Sequence, residues 1–198
     1  MLKETPSQTA GPYVHIGLTP NFADITGIFP EDAGKSLVND KTLGERITVK
    51  GRIIDGQGTA IKDAVVEIWQ ADHQGLYNSP SEPRGQADTN FAGWGRCATD
   101  MQTGEYRFET IKPGRVPFAD GRLQAPHASL WIVARGINIG LQTRLYFEDE
   151  VEANGQDPVL SRIEHKARAD TLIARKEGDS YIFDVCLQGE NETVFFDI

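Results

Sequence analysis

From Arg46 onward, apolar and polar residues alternate in short runs whose period is two rather than the three to four of a helix. Such runs occupy 47–54, 64–69, 106–111, 129–134, 143–147, 171–176 and 181–187. They are rich in Val, Ile, Thr, Tyr and Phe, and each predicts a half-buried strand. Asp55-Gly56-Gln57-Gly58 predicts a turn after the first run, and Gly178-Asp179 turns the last pair. Helical periodicity is confined to 157–168, where Asp157 is placed to cap, Pro158 sits in the first turn, and Val159, Leu160 and Ile163 share a face. The pattern predicts an all-β fold, a β-sandwich with one short helix.

Residues 1–45 have no sustained period and are punctuated by Pro6, Gly11, Pro12, Pro20, Gly27, Pro30 and Gly34. They read as an irregular N-terminal arm of the same unit, followed by a sandwich domain over 46–198. Pro12, Tyr13, Val14, Ile16 and Leu18 give the start of the arm more apolar weight than a solvated tail carries, so the arm is expected to be covered.

A chain of 198 residues can bury one substantial core, which favours one domain over two. The net charge of -9 argues against a general binder of phosphate backbones, so no nucleic-acid partner is expected. Cys97 and Cys186 lie far apart without metal or redox spacing, and reduced thiols are the expectation. The first residues lack an apolar signal core and no later stretch is long enough for a membrane span, so a cytoplasmic location is expected.

Sandwich strands alone name no function. Candidate chemistry lies at strand ends and in loops: Trp69-Gln70-Ala71-Asp72 followed by Gly75-Leu76-Tyr77, then Lys112-Pro113-Gly114-Arg115-Val116-Pro117-Phe118, Pro126-His127-Ala128-Ser129, and Ala134-Arg135-Gly136-Ile137-Asn138. Over nearly the whole chain, this order of segments resembles the intradiol ring-cleaving dioxygenases, nonhaem ferric enzymes built on a β-sandwich. In the catalytic chains of that family, one tyrosine ligand follows a Trp-Gln-Ala segment. A second lies in Lys-Pro-Gly-x-Tyr-Pro-Trp, and two histidines form a His-x-His pair. Phenolate suits a hard ferric ion, and histidines two apart on a strand reach one metal from the same face.

Carried over position by position, the first tyrosine matches Tyr77 and the first histidine matches His127. The second tyrosine falls on Val116 and the second histidine on Ser129. Valine has no donor atom and a serine hydroxyl is a weak ligand. The resemblance therefore implies a vestigial site, with no catalytic residue and no metal in this chain. Tyr77 and His127 read as packed, hydrogen-bonded side chains.

Members of the family that cleave protocatechuate pair two homologous chains, and this sequence is similar to the iron-free α kind. The resemblance implies a β-subunit partner that binds Fe(III), a higher αβ oligomer, and protocatechuate and O2 as substrates, giving 3-carboxy-cis,cis-muconate. It brings the arm motif over 5–13, with Thr9, Gly11, Pro12 and Tyr13, to the partner's pocket. It also sets Arg135 near the substrate, where a guanidinium suits a carboxylate. Other readings stay open: a scaffold subunit that never meets substrate, a stand-alone binding module, or a catalytic chain in which Tyr106 or Tyr146 replaces the residue lost at Val116. Trp69, Trp94 and Trp131 read as core or interface anchors, the tail over 194–197 as packed on the partner, and the acidic run over 148–152 as a solvated face.

Overall fold

The computed structural model describes residues 9–138 and 140–197. Among them are nine strands: β1 (Arg46–Ile54), β2 (Val65–Gln70), β3 (Trp94–Ala98), β4 (Glu105–Ile111), β5 (His127–Val133), β6 (Leu141–Phe147), β7 (Ile173–Glu177), β8 (Ser180–Ile182) and β9 (Val185–Cys186). Their order is β3-β2-β5-β6-β7-β8-β1-β4, with β9 beside β1. β1 and β2 follow one another in the chain but do not pair. After the turn at Asp55, whose carboxylate accepts the Gln57 and Thr59 amides, the chain crosses to the other half of the sheet.

The two halves, β3-β2-β5-β6 and β7-β8-β1-β4, join through a short parallel pairing of Tyr146 with Ile173 and Phe147 with Ala174. Their inner faces share one core. Val66, Ile68, Leu130 and Ile132 come from the first half, and Ile47, Val49, Tyr106 and Phe108 from the second. Two layers closing over a common core make the expected β-sandwich. Gln70 ties the layers at one end: its amide donates to the Ile111 carbonyl and its oxygen accepts the Thr110 hydroxyl, both groups of β4.

Two details differ from the sequence reading. β3 has no apolar run, because its inward Gly95 leaves room for Leu37 of the arm, and a Cβ there would meet Leu37 Cδ1 at 2.4 Å. In place of one helix over 157–168 there is a 3-10 turn (Leu160–Arg162), an extended Ile163, one helical turn α3 (Lys166–Ala169) and a second 3-10 turn (Asp170–Leu172). Two further one-turn helices, α1 (Val14–Leu18) and α2 (Val151–Gly155), occur elsewhere. Asp157 does cap, accepting the Val159 and Leu160 amides at 2.8 Å, but the apolar face ends at Ile163 and nothing drives the helix on. Within the chain, Phe196 bonds to Gln142 of β6 and packs with Val194 on a satellite cluster. The tail over 194–197 thus lies along an edge its own sheet offers.

The arm is irregular and held. Ala10 exchanges backbone bonds with the loop after β5 (Ala10 N–H to Ile137 O, 3.1 Å; Gly136 N–H to Ala10 O, 3.0 Å). The Asp32 carboxylate accepts the Asn21 and Phe22 amides, and Leu37 enters the core. Part of the arm's apolar weight still faces outward at Tyr13, Phe22, Ile25, Ile28 and Phe29. Residues 5–8 of the arm motif lie outside the described residues. Among the described residues no helix is long and apolar enough to cross a membrane.

Candidate functional site

Strand alternation places His127 and Ser129 on the outer face of β5, away from Ala128, Leu130 and Ile132, which enter the core. Register then fixes their neighbours. Trp69 of β2 and Arg144 of β6 flank Ser129, and Tyr146 lies opposite His127. Two loops cover this face. One carries Tyr77 and the other Val116, and they meet at Gly75 and Gly114. Gly75 has φ +82°, and a Cβ on it would lie 2.1 Å from the Arg115 carbonyl oxygen; one on Gly114 would lie 2.5 Å from Gly75 N. Only glycine permits this approach.

The Tyr77 loop is built on Asp72, which is 1% exposed. Its Oδ1 accepts the Gln74 and Leu76 amides and its Oδ2 the Asp88 amide, each at 2.9 Å. Tyr77 stacks on Trp69 with ring centroids 5.8 Å apart and planes 4° from parallel. Burial pushes its phenol above the ordinary value, against the pull of the Arg144 and Arg84 guanidinium groups. His127 is 5% exposed, and its Nδ1 lies 2.8 Å from the Ala125 carbonyl. Nδ1–H donates there in the neutral ring. Burial, then Arg144, depresses its pKa to about 4, so the ring is uncharged at neutral pH.

Trp69, Tyr77, Glu82, Arg84, Val116 and Gln124 line a cleft of about 340 Å³. Its wall at Val116, which is 3% exposed, is hydrocarbon. The four positions that motif order matches to a ferric ligand set thus present one phenol, one imidazole, one hydroxyl and one isopropyl group, with Arg144 the register partner of Ser129. This donor set does not fit ferric iron. Tyr106 does not repair it, because its hydroxyl donates to Phe183 O inside the core. Tyr146 adjoins His127, with ring centroids 5.5 Å apart, but its hydroxyl turns to Asp157 and burial raises its pKa.

Glu82 closes one side of the cleft. Its side chain is 3% exposed, accepts the Tyr77 amide at 3.0 Å and pairs with Arg84 at 2.5 Å. Arg84 holds its pKa down at about 2. A depressed carboxylate stabilises the fold above its ordinary pKa near 4.5, and that contribution fades as pH falls toward about 2. Thermal melts across that window should show Glu82→Gln converging on the parent chain as pH drops. A gap that stays constant would mean that the charge does not matter.

Thr9, Gly11, Pro12, Tyr13 and Arg135 are brought together elsewhere. Ala10 pairs with the Arg135 loop, and all five are exposed, Tyr13 by 76%. Arg135 makes an ion pair with Asp63 of its own chain at 3.3 Å and keeps 64% of its side chain exposed. It lies two residues beyond Val133, the last residue of β5, whereas His127 is the first, and β5 spans roughly 20 Å at strand rise. The vestigial positions and the arm cluster therefore occupy opposite ends of one strand.

Four residues that order this region carry no signal as functional residues in the linear sequence. Arg144 lies in an ordinary strand run, Gln124 in a loop, Asp72 reads as a motif flank and Asp157 as a helix cap. Pairing register alone reveals Arg144, since it is the neighbour of Ser129. Trp94 donates to Glu67 on the same outer face, with Arg96 over its ring, so it anchors this face within the chain itself.

A family profile described as "Dioxygenase" matches residues 19–189. The protocatechuate 3,4-dioxygenase alpha chain of Pseudomonas putida is 45% identical over 201 residues, spanning 100% of this chain and 98% of its own. The beta chain from Burkholderia cepacia is 34% identical over 86% of this chain and 77% of its own. Among solved structures, 3-chlorocatechol 1,2-dioxygenase from Rhodococcus opacus 1CP superposes with a TM-score of 0.59 at 20% identity, covering 82% of this chain and 69% of that one, a likeness of fold. Full-length identity at this level, together with strand-end segments in the family's order, has one outcome: the chain belongs to the intradiol dioxygenases, on the branch of the protocatechuate 3,4-dioxygenase alpha chains.

Proposed function

We propose that this chain is the non-iron subunit of a protocatechuate 3,4-dioxygenase. In this reading it completes the substrate pocket of a homologous β subunit, which binds Fe(III), within an αβ hetero-oligomer. The complex cleaves 3,4-dihydroxybenzoate between its hydroxyl-bearing carbons, inserting both atoms of O2 to give 3-carboxy-cis,cis-muconate. The observation that carries the reading is the donor set at Tyr77, Val116, His127 and Ser129, which offers too little to hold a ferric ion, in a chain similar over its full length to alpha chains.

The contribution of this chain is binding and orientation. Arg135 supplies a permanent positive charge on a loop braced by the arm at Ala10, with Thr9, Gly11, Pro12 and Tyr13 beside it. Its pair with Asp63 is long at 3.3 Å, with the arginine side chain 64% exposed, and such pairs are worth ~0–1 kcal/mol. A substrate carboxylate in a closed pocket competes with that easily. Catechol has no carboxylate to engage the guanidinium, which makes Arg135 a selector between the two diols.

A hydrogen bond to a charged group is worth ~1.5–3 kcal/mol. Arg135→Ala in the assembled complex is therefore expected to lower kcat/KM for protocatechuate ~10–100-fold, with iron content unchanged and activity on catechol little affected. Unchanged kinetics on protocatechuate would leave the chain a scaffold that never meets substrate.

A further inference from the structure

The two positions that lost a donor, Ser129 and Val116, are both tied to one side chain that no motif names. Arg144 is the register partner of Ser129, where the second histidine would stand. Its Nη1 donates to Gln124 Oε1 at 2.8 Å, and Gln124 is locked to the Val116 segment, its amide donating to Val116 O and its side chain to Pro117 O. Val116 is where the second tyrosine would stand. The guanidinium charge also bears on both surviving positions, Tyr77 and His127. Phe196 covers it, with the guanidinium carbon 5.8 Å from the ring centroid.

We infer that Arg144 is a tethered cation that has taken over the place of the metal charge, and that it, together with the missing donors, keeps metal ions out of this chain. The inference rests on the reading of the chain as the iron-free subunit and extends it. The chemistry is that of like-charge repulsion. With an uncharged imidazole at His127 and a phenol at Tyr77 that burial keeps protonated, the cluster holds no anion to offset a metal ion, and Arg144 lies across the ladder from Ser129. With the guanidinium held by Gln124 and Phe196, a second cation entering the cluster meets a fixed like charge at short range. Restoring ligands alone then fails to restore a metal site.

The test uses the full chain. Val116→Tyr with Ser129→His is prepared with and without Arg144→Gln, and both are titrated with ferric nitrilotriacetate, reading iron retained after gel filtration and a tyrosinate-to-iron absorption band. The triple variant is expected to bind at least ~100-fold more tightly than the double variant. Equal affinity, whether both bind or neither does, overturns the inference. A second arm restores neither lost donor: Arg144→Glu replaces the cation by a carboxylate across the ladder from Ser129. It is expected to gain a zinc-dependent rise in melting temperature that the parent chain lacks, and failure to gain it counts against the proposal. A parent chain that loads ferric iron by itself overturns the reading of this chain as iron-free. A parent that stays iron-free while double and triple variants behave alike overturns only the role of Arg144.

Discussion

Replacing Asp157 by alanine is expected to cost about 3–5 kcal/mol of stability, among the largest effects of any single change in this chain. Asp157 is fully buried. Its Oδ1 accepts the Val159 and Leu160 amides at 2.8 Å and its Oδ2 accepts the Ala125 amide at 2.7 Å. Alanine leaves three backbone donors without a partner in a space closed to water, each costing about 1–3 kcal/mol, partly recovered as the turn relaxes. Ala125 in turn receives the His127 Nδ1–H bond, so the damage travels to the ligand-equivalent strand end. Urea titration should show a lower midpoint at unchanged slope. Asp157→Asn, which keeps one acceptor oxygen, should fall between the two. An alanine variant within 1 kcal/mol of the parent would show that solvent reaches these amides.

How far this was legible in the sequence depends on the range of the interaction concerned. The runs over 47–54 and 106–111 appear as strands because each is amphipathic over its own length. β3 escapes, since the bulk that fills its inner face is Leu37, nearly sixty residues earlier, and a glycine beneath a borrowed side chain has no pattern of its own. The same holds at the helix expected over 157–168. The cap is a local fact and is observed, while the continuation depended on an apolar face that stops at Ile163. At the site, motif order named Tyr77, Val116, His127 and Ser129, and folding brings their strand and loops to one face. Motif order did not name Arg144, because its meaning comes from lying across the ladder from Ser129, and pairing register is not written in either strand. The tail's contact within its own chain was not legible either, because the edge of β6 that bonds Phe196 exists only after folding.

Two carboxylates, Asp157 and Asp72, hold the two flanks of a site whose donor set no longer suits a ferric ion. Neither touches a metal-equivalent position. Each satisfies backbone amides of a loop that carries one: Asp157 through Ala125 to His127, and Asp72 through Leu76 to Tyr77. If the chain is the iron-free subunit proposed above, this separation explains how a ligand set can erode while its frame persists. Substituting a ligand at Val116 or Ser129 leaves every backbone donor paired, so the cost in stability is small. Substituting an aspartate of the frame strands several donors at once.

The frame argument fixes the second large effect, Asp72→Ala. Its carboxylate accepts three amides at 2.9 Å, and its backbone oxygen accepts Gly75 at 3.0 Å and Gly114 at 2.8 Å. Losing the carboxylate is expected to cost about 3–5 kcal/mol, similar to Asp157. It should act on a different loop, and the two changes should add, because they share no partner. The distinguishing readout is local. Amide exchange at Gln74, Leu76 and Asp88 should accelerate well beyond the global loss, and Trp69 fluorescence should change as Tyr77 leaves its stacked position. Gly75→Ala should reproduce this loop signature by another route, since its Cβ would press on the Arg115 carbonyl at a backbone angle that disfavours any side chain. Exchange at those amides that tracks only the global stability, in both variants, would mean that the Tyr77 loop is held by its packing and not by Asp72.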